Sequence, residues 1–291
     1  MKILNYGSLN IDEVFAVPRF VRPGETLSAS RFERFTGGKG LNQSVALARA
    51  GAQVTHLGAI GEDGAFLLDC LRESGADVSA IRTAAAPSGR AVIQVDGQGQ
   101  NCILLLPGAN ALFDPDHVCR TLDRFSPGDW LLTQNETARP DFAIREAKKR
   151  GLSVAFNPSP INETALEAPL DAVDLFFVNE TEGEALSGES DPQKMPAALR
   201  SRFPSARFVL TLGAQGAVFF DKTECFRVPA HPVSAVDTTG AGDTFTGYFL
   251  ASLAAGLPVR VCMERASLAA SVAVSRKGAA PSIPTKEELG F

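Results

Sequence analysis

An acidic residue lies beside a glycine-rich turn in the late segment Asp237-Thr-Thr-Gly-Ala-Gly-Asp243. In the residues that follow, Thr244–Ala255, large apolar side chains recur every four positions, which predicts a helix that ends at Gly256. The turn therefore precedes a helix N-terminus, where free backbone amides and the helix dipole bind anions. The Asp243 carboxylate serves either as an N-cap or as a general base beside a bound phosphate, and this motif alone supports both interpretations about equally.

A second glycine cluster, Gly37-Gly38-Lys39-Gly40, precedes Asn42 and another predicted helix. It is not a Walker A loop, because Gly40 follows the lysine where that motif has serine or threonine, and no GxGxxG sequence predicts a dinucleotide site. A tight turn here would bring backbone amides, Lys39 and Asn42 against a polyhydroxylated ligand. Taken alone, the cluster is better explained as a glycine-rich helix entry with a solvated lysine.

Polar side chains also follow several predicted strands. Asn10 and Asp12 lie two positions apart, so their side chains share a face and suit vicinal hydroxyls, although an Asx turn would look the same. Glu136 follows a later strand, and Asn179 with Glu182 follows another. Because α/β proteins bind ligands at the carboxyl ends of parallel strands, the agreement among these clusters favours a binding site over unrelated turns.

Short apolar runs alternate with helical stretches along most of the chain. Strands that are apolar at nearly every position are typical of a sheet covered on both faces. We therefore predict an α/β fold, a three-layer α/β/α sandwich with a mostly parallel central sheet. The predicted strands are Lys2–Tyr6, Val54–Ala59, Trp130–Gln134, Ser153–Asn157, Asp174–Asn179 and Arg207–Leu212. The predicted helices include Gly40–Ala50, Asp63–Ser74, Pro140–Arg150 and Pro192–Arg202.

Two segments interrupt this alternation and predict a small antiparallel sheet outside the sandwich. Asp12–Thr36 has no helical period, and Arg90–Leu106 is predicted to form two strands joined by the turn Asp96-Gly97-Gln98-Gly99. Such a sheet suits a lid over a cleft, and two surface hairpins without a role are the alternative. Since no linker or repeat is present, we expect one domain over 1–291, with lid segments at about 12–36 and 88–108.

The composition argues against several classes of protein. The 291 residues are 45% hydrophobic, enough for a sizeable core. The net charge of −5, without a long basic run, argues against a nucleic-acid partner. No stretch approaches the roughly 18 apolar residues of a membrane span, and no signal peptide is recognisable. The five cysteines are scattered without a CxxC pair and the three histidines lack ligand spacing, so we expect no disulfide framework or zinc site and a cytoplasmic location.

The sequence resembles the PfkB family of carbohydrate kinases over nearly its whole length, and within that family it is most similar to the ribokinase branch. Gly37–Ser44, running on to Gly51 and Gly61, is similar to the first family signature, and Asp237–Gly247 is similar to the second. Two signatures about 200 residues apart, in the right order, are far more specific than either alone. Three further segments also resemble ribokinase segments, namely 96–110, 178–182 and 276–282.

The resemblance implies a transferase that moves the γ-phosphoryl group of ATP, as its magnesium complex, to the primary hydroxyl of ribose. It implies that Asp243 is the catalytic base and that the amides of Gly240, Ala241 and Gly242 form the anion hole. The implied sugar-binding positions are Asn10, Asp12, Gly38, Lys39, Asn42, Glu136 and Asp243, with Ala91 and Leu105 as apolar lid residues. The implied nucleotide positions are Asn179, Thr211, Gly213, Gly216 and Gly242, with Glu182 organising magnesium.

The resemblance also implies a monovalent cation, usually potassium, beside the anion hole, and a homodimer formed through the lid sheets. The implied cation ligands are the side chains of Asp237 and Ser282 and the backbone carbonyls of Thr239, Ala273, Arg276 and Gly278. Two positions depart from the family pattern. Tyr248 replaces a usually small residue, which predicts altered packing behind the catalytic helix, and Ala266 lies near a position where relatives often carry Asn or His beside the adenine.

Two alternatives stay open from the sequence. One is a kinase of the same fold for another acceptor, such as fructose, another ketose, a sugar acid or a nucleoside. Glu136 with Asn10 and Asp12 suits a compact free sugar, whereas Ala91 and Leu105 offer little surface for a base. The other is a catalytically silent protein that binds sugar or nucleotide on the same scaffold. The complete set of candidate catalytic residues argues against it.

Overall fold

The structure is a computed structural model that describes all residues from 1 to 291. It contains thirteen strands in two sheets and nine α-helices. The strands are β1 (Ile3–Tyr6), β2 (Asn10–Ala16), β3 (Arg31–Gly37), β4 (Val54–Gly61), β5 (Asp77–Ala84), β6 (Gly89–Val95), β7 (Asn101–Leu106), β8 (Trp130–Gln134), β9 (Ser153–Asn157), β10 (Leu175–Asn179), β11 (Arg207–Thr211), β12 (Ala217–Phe220) and β13 (Cys225–Val228). The helices are α1 (Lys39–Arg49), α2 (Ala65–Glu73), α3 (Pro115–Leu122), α4 (Pro140–Lys149), α5 (Glu163–Leu166), α6 (Glu180–Ser187), α7 (Met195–Arg202), α8 (Ala241–Ala254) and α9 (Val259–Val274).

The large sheet has nine strands in the order β13-β12-β11-β10-β9-β8-β1-β4-β5. All neighbours pair in parallel except β11 with β12 and β12 with β13. Consecutive strand residues pack on opposite faces. Leu132 belongs to the apolar core shared with α1, α8 and α9, whereas Leu131 belongs to the core shared with α3, α4 and α7. The predicted three-layer sandwich with a mostly parallel sheet is therefore confirmed.

The six strands predicted from apolar runs are all present, with ends that differ by two residues at most. Three strands of the large sheet were not predicted. β5 is an edge strand whose side chains are mostly exposed, so it has no continuous apolar run. β12 and β13 have only four residues each and form the antiparallel edge on the other side. None of the nine helices combines the length and the apolarity that crossing a lipid bilayer requires.

The small sheet has the strand order β3-β2-β6-β7 and lies outside the sandwich, as predicted. The prediction that it is antiparallel is wrong at its centre, where β2 pairs with β6 in parallel and Asn10 lies opposite Gly89. The reason is that β2 follows β1 and β6 follows β5. Since β1 and β5 run in the same direction in the large sheet, β2 and β6 start from the same edge of that sheet and also run in the same direction.

Two glycines allow the close approaches that bring the ends of α1 and α8 together. A Cβ atom on Gly40 would lie 2.3 Å from the backbone nitrogen of Ser8, so α1 begins directly against the segment between β1 and β2. A Cβ atom on Gly247 would lie 2.3 Å from Cβ of Ala46, so α8 packs closely on α1. The two N-termini therefore converge at the carboxyl edge of the large sheet.

Candidate active site

A cleft of about 260 Å³ lies at the carboxyl ends of β9, β10 and β11, between the N-termini of α1 and α8. It brings together eight residues that sequence reasoning singled out: Lys39, Asn179, Glu182, Thr211, Gly240, Ala241, Gly242 and Asp243. Residues without a predicted role also line it, among them Asn157, Ser159, Thr238 and Thr246. The two glycine-rich segments, far apart in the sequence, thus face one space.

Asp243 is not the N-cap of α8. The cap position is Gly240, no side chain makes a capping hydrogen bond there, and Asp243 is the third residue of the helix. Its carboxylate instead accepts two hydrogen bonds from α1, with Asn42 Nδ2 donating to Oδ2 and Gln43 Nε2 donating to Oδ1, both at 2.9 Å. The structure therefore excludes the capping interpretation and leaves a carboxylate that is held at the cleft by side-chain amides.

Burial raises the pKa of the Asp243 carboxyl to about 6, against an ordinary value near 4. The positive charge of Lys39 and the donors on Asn42 and Gln43 counteract this rise. A carboxyl with a pKa about one unit below neutrality is mostly ionised at pH 7 and accepts a proton readily. These are the properties that a general base requires.

Free backbone amides accompany this carboxylate. The amides of Gly240, Gly242 and Asp243 make no hydrogen bond to the backbone, whereas the amide of Ala241 donates to the carbonyl of Thr238 at 3.3 Å. Of the three amides predicted to bind an anion, that of Ala241 is thus already used, and that of Asp243 itself is available. Gly240 has a φ angle of 76°, in the left-handed region that favours glycine.

Lys39, which lines the cleft, forms an ion pair with Glu136. The Lys39 Nζ atom lies 3.0 Å from Oε1 of Glu136, whose Oε2 accepts from Ser8 Oγ at 2.6 Å and from the backbone amide of Lys39 at 3.0 Å. Gly38 has a φ angle of 91° and turns the chain so that this amide faces Glu136. The second glycine cluster is therefore more than a helix entry with a solvated lysine, since its lysine forms a half-buried ion pair at the site.

Asn10 and Asp12 project from the start of β2. Asn10 is buried, and its Oδ1 accepts from Asn110 Nδ2 at 2.7 Å. Burial, together with the negative charge of Glu136, raises the pKa of Asp12 to about 7. Its carboxylate packs against the second glycine cluster, since a Cβ atom on Gly37 would lie 2.1 Å from Asp12 Oδ2.

The two predicted lid residues lie in register with Asp12. Asp12 pairs with Ala91 across β2 and β6, and Ala91 pairs with Leu105 across β6 and β7. Side chains at paired positions share one face of a sheet, so this row presents a carboxylate followed by two apolar groups. Ala91 is buried, and Leu105 is 52% exposed.

Asn179 and Glu182 form a capping box at the start of α6. Asn179 Oδ1 accepts from the Glu182 amide at 2.9 Å, and Glu182 Oε2 accepts from the Asn179 amide at 3.0 Å. The Glu182 carboxyl is buried and its pKa is raised by that burial. The motif thus has a structural function, and it also holds an acidic oxygen pair at the cleft.

The strand-end turn after β11 contains the other predicted nucleotide positions. Thr211 lines the cleft and its hydroxyl donates to the Val178 carbonyl at 3.3 Å. Gly213 and Gly216 have φ angles of 52° and 89°. A Cβ atom on Gly216 would lie 2.1 Å from the Val228 carbonyl oxygen, so only glycine fits against β13. Gly213 has open space around it.

Asp237 connects the two loops that were expected to hold a monovalent cation. Its Oδ1 accepts from the Thr239 amide and its Oδ2 from the Gly278 amide, both at 2.9 Å. The buried hydroxyl of Ser282 donates to the Ala279 carbonyl at 2.7 Å, and the carbonyl of Ala273 accepts from the Arg276 amide at 3.0 Å. No group of three or more His, Cys, Asp or Glu side chains is arranged to hold a metal ion, so a cation here would bind to carbonyl, hydroxyl and single carboxylate oxygens.

The two departures from the family pattern have different consequences. Tyr248 is fully buried and its hydroxyl donates to the Pro284 carbonyl at 2.8 Å, which attaches α8 to the C-terminal segment. Ala266 has no exposed surface and packs in the core beneath the large sheet. It does not line the cleft.

Sequence reasoning missed several buried polar residues that support the site. Gln43 lies inside the first glycine-rich motif but was given no role, and it bonds directly to Asp243. Asn5, Gln134 and Asn110 were not singled out either. A signal did exist, because Asn5 and Gln134 are polar residues within otherwise apolar strands, and such residues need hydrogen-bond partners when they are buried.

Comparisons with known proteins agree with this geometry. The model of the pfkB family carbohydrate kinases matches residues 1–286. A ribokinase from Staphylococcus aureus is 35% identical over 299 residues, covering 99% of this chain and 98% of the relative. The crystal structure of ribokinase from Cryptococcus neoformans in complex with ADP is 32% identical, with a TM-score of 0.87 over 99% of this chain and 98% of that one. The structure of Arabidopsis thaliana ribokinase complexed with ribose and ATP is 28% identical, with a TM-score of 0.85 over 99% and 97%.

A parallel α/β sandwich with a buried carboxylate beside free helix amides, covered at one edge by a second sheet, is the architecture of a phosphotransferase with an alcohol group as acceptor. The family match over nearly the whole length makes the assignment specific. The chain belongs to the PfkB family of carbohydrate kinases.

Proposed function

We propose that this enzyme transfers the γ-phosphoryl group of ATP to the primary hydroxyl of ribose. The observation that carries the proposal is the buried Asp243 carboxylate at the cleft, held by two amide donors and adjacent to the free amides of Gly240 and Gly242. The S. aureus relative is a ribokinase, and the Arabidopsis structure holds ribose and ATP. Both relatives support ribose as the acceptor and ATP as the donor.

The sugar binds between the lid and the start of α1. Its hydroxyls meet Asn10, Asp12, Lys39, Asn42 and Glu136, with Gly38 allowing close approach of the backbone. One buried atom supports this arrangement directly, since Asn42 Oδ1 has no hydrogen-bond partner in the protein. A buried acceptor without a partner is costly, and a sugar hydroxyl that donates to it would remove that cost.

Phosphoryl transfer requires a base and a site for negative charge. Asp243 takes the proton of the primary hydroxyl as this oxygen attacks the γ-phosphorus, and the bond from that phosphorus to the β–γ bridging oxygen breaks, so that ADP leaves. The free amides of Gly240, Gly242 and Asp243 stabilise the charge on the transferred group at the positive end of α8, whereas the Ala241 amide is occupied by the Thr238 carbonyl. Lys39 carries a second positive charge at the cleft.

The nucleotide occupies the side of the cleft lined by Asn179 and Thr211, next to Gly242, and extends toward the turn that contains Gly213 and Gly216. The Glu182 carboxylate, which lines the cleft, would organise the water shell of a magnesium ion bound to the phosphates of ATP, and that ion would neutralise part of their charge.

The proposed site also includes residues that would hold a monovalent cation such as potassium. These are the Asp237 and Ser282 side chains and the carbonyls of Thr239, Ala273, Arg276 and Gly278. The Asp237 carboxylate already joins the Thr239 and Gly278 amides, so a cation bound to it would stiffen the loop before α8.

The lid completes the site within a single domain of residues 1–291. Segments 12–36 and 88–108 form this lid, and Ala91 and Leu105 cover the sugar from it. Closure excludes water and thereby limits wasteful hydrolysis of ATP.

We further propose a homodimer that forms through the lid sheet. All six residues of β7 are exposed, and this edge strand carries the apolar run Ile103–Leu106. Analytical ultracentrifugation should show a dimer for the wild type and a monomer for Leu104→Glu, because Leu104 is 72% exposed and a buried charge opposes pairing. A monomeric wild type at micromolar concentration would remove this part of the proposal.

The proposed compartment is the cytoplasm, because all five cysteines are free thiols.

An acceptor panel tests the main proposal. ADP formation from ATP is measured with ribose, 2-deoxyribose, fructose, a sugar acid and a nucleoside, each with and without potassium. Ribose should give the highest kcat/KM, and Asp243→Asn serves as the inactive control. A higher kcat/KM with another acceptor would change the substrate, whereas ligand-induced stabilisation without any ADP formation would indicate a silent binding protein.

A further inference from the structure

A chain of buried amide side chains extends from Asp243 into the large sheet. Gln43 Nε2 donates to Asp243 Oδ1, and Gln43 Oε1 accepts from Gln134 Nε2 at 2.6 Å. Gln134 Nε2 also donates to Asn5 Oδ1 at 2.9 Å. Gln43, Gln134 and Asn5 all have no exposed surface, so water does not substitute for any of these bonds.

The direction of this chain is set by backbone carbonyls, which only accept hydrogen bonds. Asn5 Nδ2 donates to the Gly40 carbonyl and to Ser44 Oγ, both at 2.8 Å, so Asn5 must present its oxygen to Gln134. Gln134 then uses both Nε2 hydrogens, one toward Asn5 and one toward Gln43. Gln43 is left with its Nε2 group facing Asp243.

A second anchor gives the same orientation. Asn157 Nδ2 donates to the Phe177 carbonyl at 2.9 Å, and Asn157 Oδ1 accepts from Gln43 Nε2 at 3.2 Å. A rotated Gln43 amide would place its oxygen against the oxygens of both Asn157 and Asp243. This arrangement of donors and acceptors leaves the buried Gln134 Oε1 atom without a hydrogen-bond partner, which lowers the stability of the fold.

We infer that Gln43 is a positioning residue for the proposed reaction. Supported by Gln134 and Asn157, it always presents an N–H group to Asp243 Oδ1, which keeps the base ionised and leaves its remaining lone pairs for the sugar hydroxyl. Gln43 acts through Asp243 and has no contact of its own with the reacting atoms. The catalytic part of this inference rests on the proposed function. The direction of the hydrogen bonds that orient Gln43 does not depend on the substrate.

Other charged groups also act on Asp243. Lys39 lowers the pKa of its carboxyl, Glu136 raises it, and Asp12 and Asp243 repel each other. Glu182 from α6 lines the same cleft. All four residues are unchanged in a Gln43 variant, so a shift in the titration of Asp243 in that variant measures the amide donor.

The test is a titration of the Asp243 side-chain carboxyl by carbon-13 NMR of protein labelled at aspartate, with Asp243→Asn to assign the signal. Gln43→Met keeps the length of the side chain and removes the donor, and should raise the midpoint by about one pH unit, equivalent to a tenfold change in proton affinity. Gln134→Met removes one of the two anchors while Asn157 still holds the Gln43 amide, so it should raise the midpoint by a smaller amount. Thr121→Val is the control. It removes a hydrogen bond of a buried side chain within α3, at a residue that does not line the cleft, and should leave the midpoint unchanged.

The acid limb of kcat/KM for ribose should move upward with the NMR midpoint in Gln43→Met. A purely structural role would lower the unfolding temperature in Gln43→Met and Thr121→Val alike and would move neither readout. An unshifted midpoint in a folded Gln43→Met overturns the inference, and if that variant does not fold, an unshifted midpoint in a folded Gln43→Leu, which also lacks the donor, does so. A wild type inactive on ribose would overturn the proposed function, while the titration would still decide the role of Gln43.

Discussion

Two carboxyls with raised pKa values predict a steep acid limb for this enzyme. The pKa is about 7 for Asp12 and about 6 for Asp243. The proposed function requires both groups to be ionised, Asp12 to accept sugar hydroxyls and Asp243 to take a proton. Because each folded pKa lies above that of a free aspartate, activity is present above pH 7 and is lost as the pH falls through 7 and then 6. The product of the two ionised fractions decreases about 1000-fold from pH 8 to pH 5.

The variant Asp12→Asn separates the two contributions. It should lower kcat/KM at pH 8, where Asp12 is ionised, since an amide binds the hydroxyls less well than a carboxylate. Its decrease from pH 8 to pH 5 should be only about tenfold, because Asp243 alone then titrates. Removing the negative charge of Asp12 also lowers the pKa of Asp243, which makes the limb shallower still.

The assay is ADP formation at low ribose and saturating ATP, with quenched samples analysed by chromatography so that no coupling enzyme adds a pH dependence. The slope is compared rather than the absolute rate, because the substitution weakens binding as well. A limb as steep in Asp12→Asn as in the wild type would refute the assignment of two titrating carboxyls. A wild-type profile that is flat down to pH 5 would refute the raised pKa of Asp243 itself.

Three further substitutions have definite expected results. Asp243→Asn should lower kcat by about 100- to 10,000-fold, measured by ADP formation, while calorimetry shows nearly unchanged ribose affinity; near-normal turnover would contradict its role as base. Gly247→Ala should lower the free energy of unfolding in urea by about 1–3 kcal/mol, because the added methyl overlaps Ala46 between α8 and α1. Tyr248→Phe should cost about 1 kcal/mol in the same urea assay with unchanged kcat, since it removes only the bond to the Pro284 carbonyl; a large loss of activity would show that α8 depends on that bond.

The central part of the fold was predictable because its strands are buried on both faces. Such strands, for example Trp130–Gln134 and Ser153–Asn157, are apolar at nearly every position, and this pattern is visible in the sequence. The edge strand Asp77–Ala84 was missed since half-exposed strands lack that pattern. The parallel pairing of β2 with β6 depends on where β1 and β5 end in space, and nothing local to either strand encodes it.

The individual site residues were also visible in the sequence, as glycines before helices and as acids and amides after strands. Their order along the chain does not show which of them touch. Only the tertiary structure shows that Asp243 is held by Asn42 and Gln43 instead of capping its own helix, and that Lys39 pairs with Glu136.

Local sequence determines what depends on neighbouring residues: helix starts, strand periodicity and the turns that need glycine. Contacts between residues about 100 to 200 positions apart depend on how the large sheet orders its strands and on how closely α1 and α8 approach. The ionisation of Asp243 follows from those contacts, because the burial that raises its pKa and the amide donors that lower it both come from distant parts of the chain.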